Sequence, residues 1–410
     1  MTMKRRITVL LAACIIISTI GTVVRCEDAP EESKMDKRRK FIADFDHMIL
    51  DTAAEDAMLL RILVSAAELK RGIEVGTCRA FGAINIGIAF ERNGGHLDTV
   101  DINHDRVVTA RGNLKQLALD DTVTVIEGDA LEVLPKLTGK YDFAFLDALK
   151  RDYFKYFKSI EARLTPGSII AADNTISYAS AMRDFLKYIK TDPHYETIIV
   201  RSSMAKDDGM SLTYKIADEN EKVDASATEA REKIIAAQPK GALTLDTMLL
   251  RILVDASSAK RALQIGSGGA ASLDMGIALE RTGGKLVAVE LDSKLSARAT
   301  ADIKAADLDQ TITLGKGTAS DLIAAEQGKF DFVLLAGDRT AYLKKFKALE
   351  KKLAPGTIVV ADKVLENPAD VKGFLEYVAD SKVYEFVTLR PEDKKQTDGV
   401  IVIHKFPTDK

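Results

Sequence analysis

The chain repeats itself on the scale of a whole domain. The stretch DAMLLRILVSAAELKRGIEVGT, from Asp56, returns as DTMLLRILVDASSAKRALQIGS from Asp246. ERNGG at Glu91 returns as ERTGG at Glu280, and LTPGSIIAAD, ending at Asp173, returns as LAPGTIVVAD, ending at Asp362. The offset holds at about 190 residues, far longer than a solenoid unit. A chain of 410 residues has room for two such copies. The expected domains are residues 35–218 and 241–410, with residues 219–240 a linker whose later part is helical.

Within each copy, short β-rich runs alternate with helical periodicity. In the first copy the runs fall near 71–75, 97–102, 122–127, 141–147, 168–172, 195–201 and 210–216, with helical patterns such as Met58 to Leu69 and Asp105 to Leu119 between them. Such alternation predicts an α/β fold, a mostly parallel sheet with helices on both faces. The DDG before Met210 reads as a turn, so the last two runs are expected to form an antiparallel hairpin at the sheet edge. Ligands of such sheets bind beyond the carboxyl ends of the strands.

In the first copy those strand ends carry polar chemistry. The first closes with IEVGT, giving Glu74 and Gly76 before a turn into a helix near Phe81 and Gly82. A small-residue turn there lets a ligand approach the backbone and the helix N-terminus. The second ends at Asp101, where an acid can accept both hydroxyls of a ribose. Asp129 follows the third, Asp147 the fourth, and Asp173 with Asn174 the fifth. Asp147, Asp173 and Asn174 are hard oxygen donors, which suit Mg2+ and not zinc. Lys150, three residues beyond Asp147, can act as a general base when a divalent cation lies beside it.

The series EVGT, DIN, EGDA, FLDALKRDY and ADN resembles the class I S-adenosylmethionine-dependent O-methyltransferases of the catechol and caffeoyl-CoA type. The resemblance covers about residues 45 to 216 and, more weakly, 235 to 406. It implies two tandem Rossmann-like methyltransferase domains, each with a seven-stranded sheet. It implies that Glu74, Gly76, Thr77, Phe81, Gly82, Asp101, Asp129, Ala130 and Asp147 line the S-adenosylmethionine crevice. It further implies Mg2+ on Asp147, Asp173 and Asn174, and Lys150 taking the proton from a hydroxylated small-molecule acceptor, a vicinal diol or a phenol.

The second copy keeps the frame and loses this set. Gln264 stands for Glu74, Thr318 for Asp129, Ala336 for Asp147, Arg339 for Lys150 and Lys363 for Asn174, while Asp362 matches Asp173. One carboxylate beside a lysine is a poor Mg2+ site, so catalysis is expected in the first copy and a structural role in the second. Enzymes of this resemblance often dimerise, so one chain is expected to hold an intramolecular pseudo-dimer, with further homo-oligomers open. Two other readings stand beside it: a non-catalytic binding protein on a duplicated methyltransferase scaffold, and a metal-independent methyltransferase. GSGGAA from Gly266 also fits the spacing of a dinucleotide fold, but its repeat relation to the first copy argues against that.

The N-terminus belongs to neither copy. Lys4, Arg5 and Arg6 precede an apolar run from Ile7 to Val24, and residues 1–26 fit a signal peptide or a single membrane anchor. The chain is accordingly expected to be secreted or membrane-anchored, its topology open. A net charge of −3, no tryptophan and no basic stripe give no support for a nucleic-acid partner. Of the three cysteines, Cys14 and Cys26 lie in or beside the apolar run and only Cys78 lies within a copy, so no disulfide framework can be read.

Overall fold

The computed structural model describes residues 32–238, 243–266, 268–289, 293–315 and 317–407. The signal or anchor expected at residues 1–26 lies outside them, and among the described residues no helix is long and apolar enough to cross a membrane. The described residues 32–44 belong to a unit of their own, whose helix Lys34–Ala43 starts at a Ser33 hydroxyl that accepts from the Asp36 amide at 3.1 Å.

From Phe45 onward each copy builds one α/β layer. The first copy contributes β1 (Arg71–Val75), β2 (His96–Asp101), β3 (Val123–Glu127), β4 (Tyr141–Leu146), β5 (Leu164–Ala172), β6 (Tyr195–Arg201) and β7 (Met210–Lys215). The second contributes β8 (Arg261–Ile265), β9 (Lys285–Val289), β10 (Ile312–Gly315), β11 (Phe330–Leu335), β12 (Leu353–Ala361), β13 (Tyr384–Pro391) and β14 (Val400–Lys405). In the first copy the order β3-β2-β1-β4-β5-β7-β6 is parallel except for β7, as the edge-hairpin reading expected. The second copy repeats it strand for strand.

Burial explains the apolar runs. β1 and β4 present almost wholly buried strands, and Ile73, Val75, Tyr141, Leu146 and Ile170 pack with Tyr153, Phe157 and Phe185 in one core. Helix Ala54–Ala66 is buried nearly all round, Asp56 and Arg61 included, and it packs against helix Phe81–Asn93 and against β13 of the other copy. β5 starts at Leu164 and not near 168. Pro166 and Gly167 read as a turn, yet the strand runs through them on a register shift between the pairs Tyr141↔Leu164 and Phe143↔Ile169, with Gly167 at φ +93°. The linker helix is Ala225–Ala236.

The two sheets fuse. β6 pairs antiparallel with β13 through Arg201↔Arg390 and Val200↔Pro391, giving one fourteen-stranded sheet. Matching charges flank the seam. Arg61 and Arg92 of the first copy hold Glu385 of the second at 3.1 and 2.8 Å. Arg251 and Arg281 of the second hold Glu196 of the first at 3.1 and 2.9 Å. Burial raises the Glu385 carboxyl, but Arg61 and Arg92 outweigh it and bring it down to about 2. Buried pairs of this kind fix orientation more surely than they add stability.

Candidate functional site

Parallel register brings the first-copy strand ends to one edge. Beyond the last ladder pairs, the Gly76 amide donates to Val100 O (2.9 Å), Asp147 to Val75 O (2.9 Å), Asp173 to Leu146 O (3.0 Å) and Gly128 to Asp101 O (3.0 Å). Gly76 sits at φ +107°, and a Cβ there would collide with the Asp147 carbonyl oxygen, so only glycine lets β1 and β4 end side by side.

The donor half lies around β1 and β2. Asp101 is buried, with Oδ2 accepting from the Cys78 amide at 2.8 Å and Oδ1 from the Asn103 amide at 2.9 Å. Thr77 is buried, its hydroxyl 2.6 Å from that of Thr99, which in turn donates to Glu74. Gly82 opens helix Phe81–Asn93 against this group; a Cβ there would lie 2.7 Å from Glu74 Oε1 and 2.9 Å from Thr52 Oγ1. Ala80 ahead of it takes φ +70° and leaves the helix N-terminus without a side-chain cap. Phe81 is a wall, packed 4.7 Å from the Phe45 ring and 4.3 Å from that of His47. Asp129 caps the short helix Ala130–Val133 through the Leu131 amide (2.9 Å), with Ala130 buried behind it.

Glu74 is fully buried, and its carboxyl is pushed up to about 8, first by burial and then by Asp147 and Asp101, against the Thr99 hydroxyl. Between 4.5, its ordinary value, and about 8, the folded chain keeps a proton that the unfolded chain releases. Stability is therefore lost as pH rises through that window. Glu74→Gln, which copies Gln264, should raise unfolding stability by about 1–3 kcal/mol near pH 9 and by less near pH 6. Denaturant melts at the two pH values check this; a variant no more stable than its parent at pH 9 contradicts it.

The reactive half lies around β4 and β5. Lys150 Nζ donates to Asp147 Oδ1 at 2.8 Å and to the Tyr153 hydroxyl at 2.9 Å, and Tyr153 donates on to Asp173 O at 3.3 Å. The Thr52 hydroxyl lies 3.4 Å from Asp147 Oδ2. Asp173 is buried, and its Oδ2 has no hydrogen-bond partner among the described residues. Burial first, then the charge of Asp147, push its carboxyl well above the usual range against the pull of Lys150 and Lys206. Asn174 adopts φ +61° and turns its amide nitrogen to Asp208 Oδ2 (3.2 Å), leaving its carbonyl oxygen as the group that can face a cation. Among the described residues no three His, Cys, Asp or Glu side chains converge as a metal site. A cation here would therefore rest on two carboxylates and an amide. The orphaned buried Asp173 oxygen and the all-oxygen donor set fit a hard divalent ion.

Among the described residues of the second copy, several of the equivalent groups are engaged by the chain itself. Tyr342 still donates to Asp362 O (3.0 Å), as Tyr153 does to Asp173, but Asp362 Oδ1 is taken by the Thr244 amide at 3.0 Å. Gln264 is closed on Gly266 O (2.9 Å) and the Ser272 hydroxyl (3.0 Å). Gln238, just past the linker helix, lies where a Cβ on Gly269 would point. Arg339 turns to Glu366 (3.0 Å) and Asp370 (3.4 Å), and Thr318 forms a capping box with Asp321. The cavity beside Leu243, Leu245 and Val360 measures about 10 Å³.

With this geometry in view, the profile of the O-methyltransferase family matches residues 26–216 and again 227–387. The chain belongs to the O-methyltransferase family. It is an S-adenosylmethionine-dependent O-methyltransferase chain, similar to caffeoyl-CoA O-methyltransferase 2 of Zea mays at 25% identity over 192 residues, 44% of this chain and 72% of that one. It is 28% identical to the catechol O-methyltransferase of Niastella koreensis over 131 residues, covering 31% and 59% of the two chains. Among solved structures, the O-methyltransferase TomG of Streptomyces achromogenes in complex with SAM aligns with 46% of this chain and 91% of its own, at 22% identity and a TM-score of 0.40.

Several residues of this O-methyltransferase edge escaped the sequence reading. Thr52 reaches both Asp147 and the Glu74–Gly82 contact from a segment with no periodicity. Asp51 accepts from the Met48 amide at 2.7 Å and pairs with Arg79, locking that segment beside β1. Asp56 is bonded by Ser202, and burial, only partly offset by that bond and by Lys206, pushes its carboxyl up to about 6. Asp208, read only as part of a turn, accepts from the Ile176, Ser177 and Gly209 amides at 3.2, 2.9 and 2.7 Å.

Proposed function

We propose that the first copy transfers a methyl group from S-adenosylmethionine to one hydroxyl of a small, apolar-bodied vicinal diol or phenol, with a divalent cation, Mg2+, at Asp147, Asp173 and Asn174. The observation that carries this reading is the buried Asp173 oxygen without a partner, next to the Asp147–Lys150–Tyr153 cluster. The cation supplies charge that draws the acceptor's oxygens into place, and the donor supplies an electrophilic methyl. Asp101, already oriented by two backbone amides, presents its remaining lone pairs to a ribose. Asp147 and Asp173 repel each other, and Lys150 and Lys206 offset that repulsion at Asp173. With a cation held by Asp147, Asp173 and Asn174, the Lys150 ammonium would lose its proton to solvent more readily and stand as a neutral amine. Lys150 then takes the acceptor's proton, held in position by the Tyr153 hydroxyl.

The apolar body is supported by the surface. Among the described residues the most exposed large hydrophobics include Ile49, Leu50, Ile102, Leu149, Tyr178 and Met204, and none of the exposed set lies in the second half of the chain. All six come from the carboxyl ends of first-copy strands or from the segment that Arg79 and Lys206 tie to them. Full-length protein should therefore methylate catechols or phenolic thioesters with Mg2+, and a chelator should lower the rate by about 100-fold or more. Equal rates with chelator would favour the metal-independent reading. Donor binding without transfer to any vicinal-oxygen acceptor would favour the binding-protein reading.

A further inference from the structure

We infer that the β13–β14 turn of the second copy is a positioning part of the first-copy site, acting on Asn174 through the β6–β7 loop. The inference rests on the proposed role of Asn174, and it gives the second copy a task beyond burying surface.

The chain of contacts is continuous. Arg390, at the end of β13, donates to Ser203 O at 2.7 Å and lies 3.5 Å from Asp207 Oδ1. Lys394, in the turn that follows, donates to Asp207 O at 2.6 Å and stands 3.3 Å from Asp207 Oδ2. From the other side, buried Arg201 donates to Asp207 Oδ1 (2.5 Å), Pro391 O (2.6 Å) and Gln396 O (3.2 Å). Asp207 is thus gripped by three cations, two of them from the second copy. It takes φ +46°, a conformation that a non-glycine residue holds only when its surroundings impose it.

The next residue, Asp208, spans to the site. Its carboxylate takes the Ile176 and Ser177 amides and the Asn174 side chain, and Gly209 O takes both the amide (2.8 Å) and the hydroxyl (2.9 Å) of Thr175. The same loop sends Lys206 to Asp51 O at 2.8 Å and Ser202 to Asp56. The second copy thereby sets one wall of the acceptor pocket and the left-handed turn that carries Asn174. The donor half, built on β1 and β2, has no such contact with Arg390 or Lys394 among the described residues.

Hydrogen exchange and steady-state kinetics on the full chain test this. In Arg390→Met, and in Asp207→Asn, which leaves the second copy untouched, amides of residues 174–178 and 202–209 should exchange about 5-fold faster or more, with residues 71–76 unchanged. Acceptor KM and the Mg2+ requirement should rise by about 5- to 30-fold, donor Kd staying within about twofold, and Arg390→Lys should recover much of the loss. The double variant should be little worse than either single change. Unchanged exchange in both variants overturns the inference, as does equal loss of donor and acceptor affinity. If the parent chain transfers no methyl group, the exchange result still decides this inference, while the functional reading fails separately.

Discussion

Lys150→Met should lower turnover by about 10²- to 10⁴-fold, the usual worth of a general base, while donor affinity stays within about twofold. The substitution keeps the length and apolar stem of the side chain, which is only 17% exposed, and removes the amine that links Asp147 to Tyr153 at 2.8 and 2.9 Å. Loss of that amine also leaves Asp147 and Asp173 without their nearest cation, so Mg2+ should bind no more weakly than in the parent. That separates a missing base from a missing metal. Initial rates at saturating Mg2+ and donor, with folded fraction checked by circular dichroism, provide the measurement. A variant that keeps more than about a tenth of the parent rate would make Lys150 a structural partner of Asp147 and not a base.

The parts of this architecture that were legible in the sequence were those written into local pattern. Seven alternating runs per copy became seven strands, and acids placed at strand ends by period and turn signals meet at one edge because parallel register aligns Val75 with both Val100 and Leu146, and Leu146 with Ala172. The start of β5 was not legible, because Pro166 and Gly167 carry the composition of a turn and the geometry of a bulge. Nor was the fusion of the two sheets, which rests on two backbone pairs between edge strands. A signal for it was present all the same. Arg61 and Arg251, Arg92 and Arg281, and Glu196 and Glu385 recur in both copies, whereas Glu74, Asp129, Asp147 and Asn174 do not. The charges of the seam are kept in both copies, where each is used once on either side. Thr52, Ser202, Lys206 and Asp208 come from loops, and only tertiary structure brings them to the strand ends.

Whether one copy works and the other supports it is tested most directly by substituting one strand-end acid in each copy, Asp147 after β4 and Asp362, the counterpart of Asp173, after β12. Asp147→Asn and Asp362→Asn make the same chemical change. The amide is chosen because Asp362 is buried and accepts the Thr244 amide, a contact that asparagine keeps. Asp147→Asn removes the charge that faces both Lys150 and Asp173, so turnover should fall by about 10³-fold, while donor binding, held also by Glu74 and Asp101, should fall far less. Asp362→Asn should leave turnover within about twofold, because Ala336 and Lys363 have already removed its partners. Measured at saturating Mg2+ and matched folded fraction, a large loss confined to Asp147→Asn is the predicted result. A large loss in Asp362→Asn with Asp147→Asn near the parent rate would contradict the account and move the working site to the second copy.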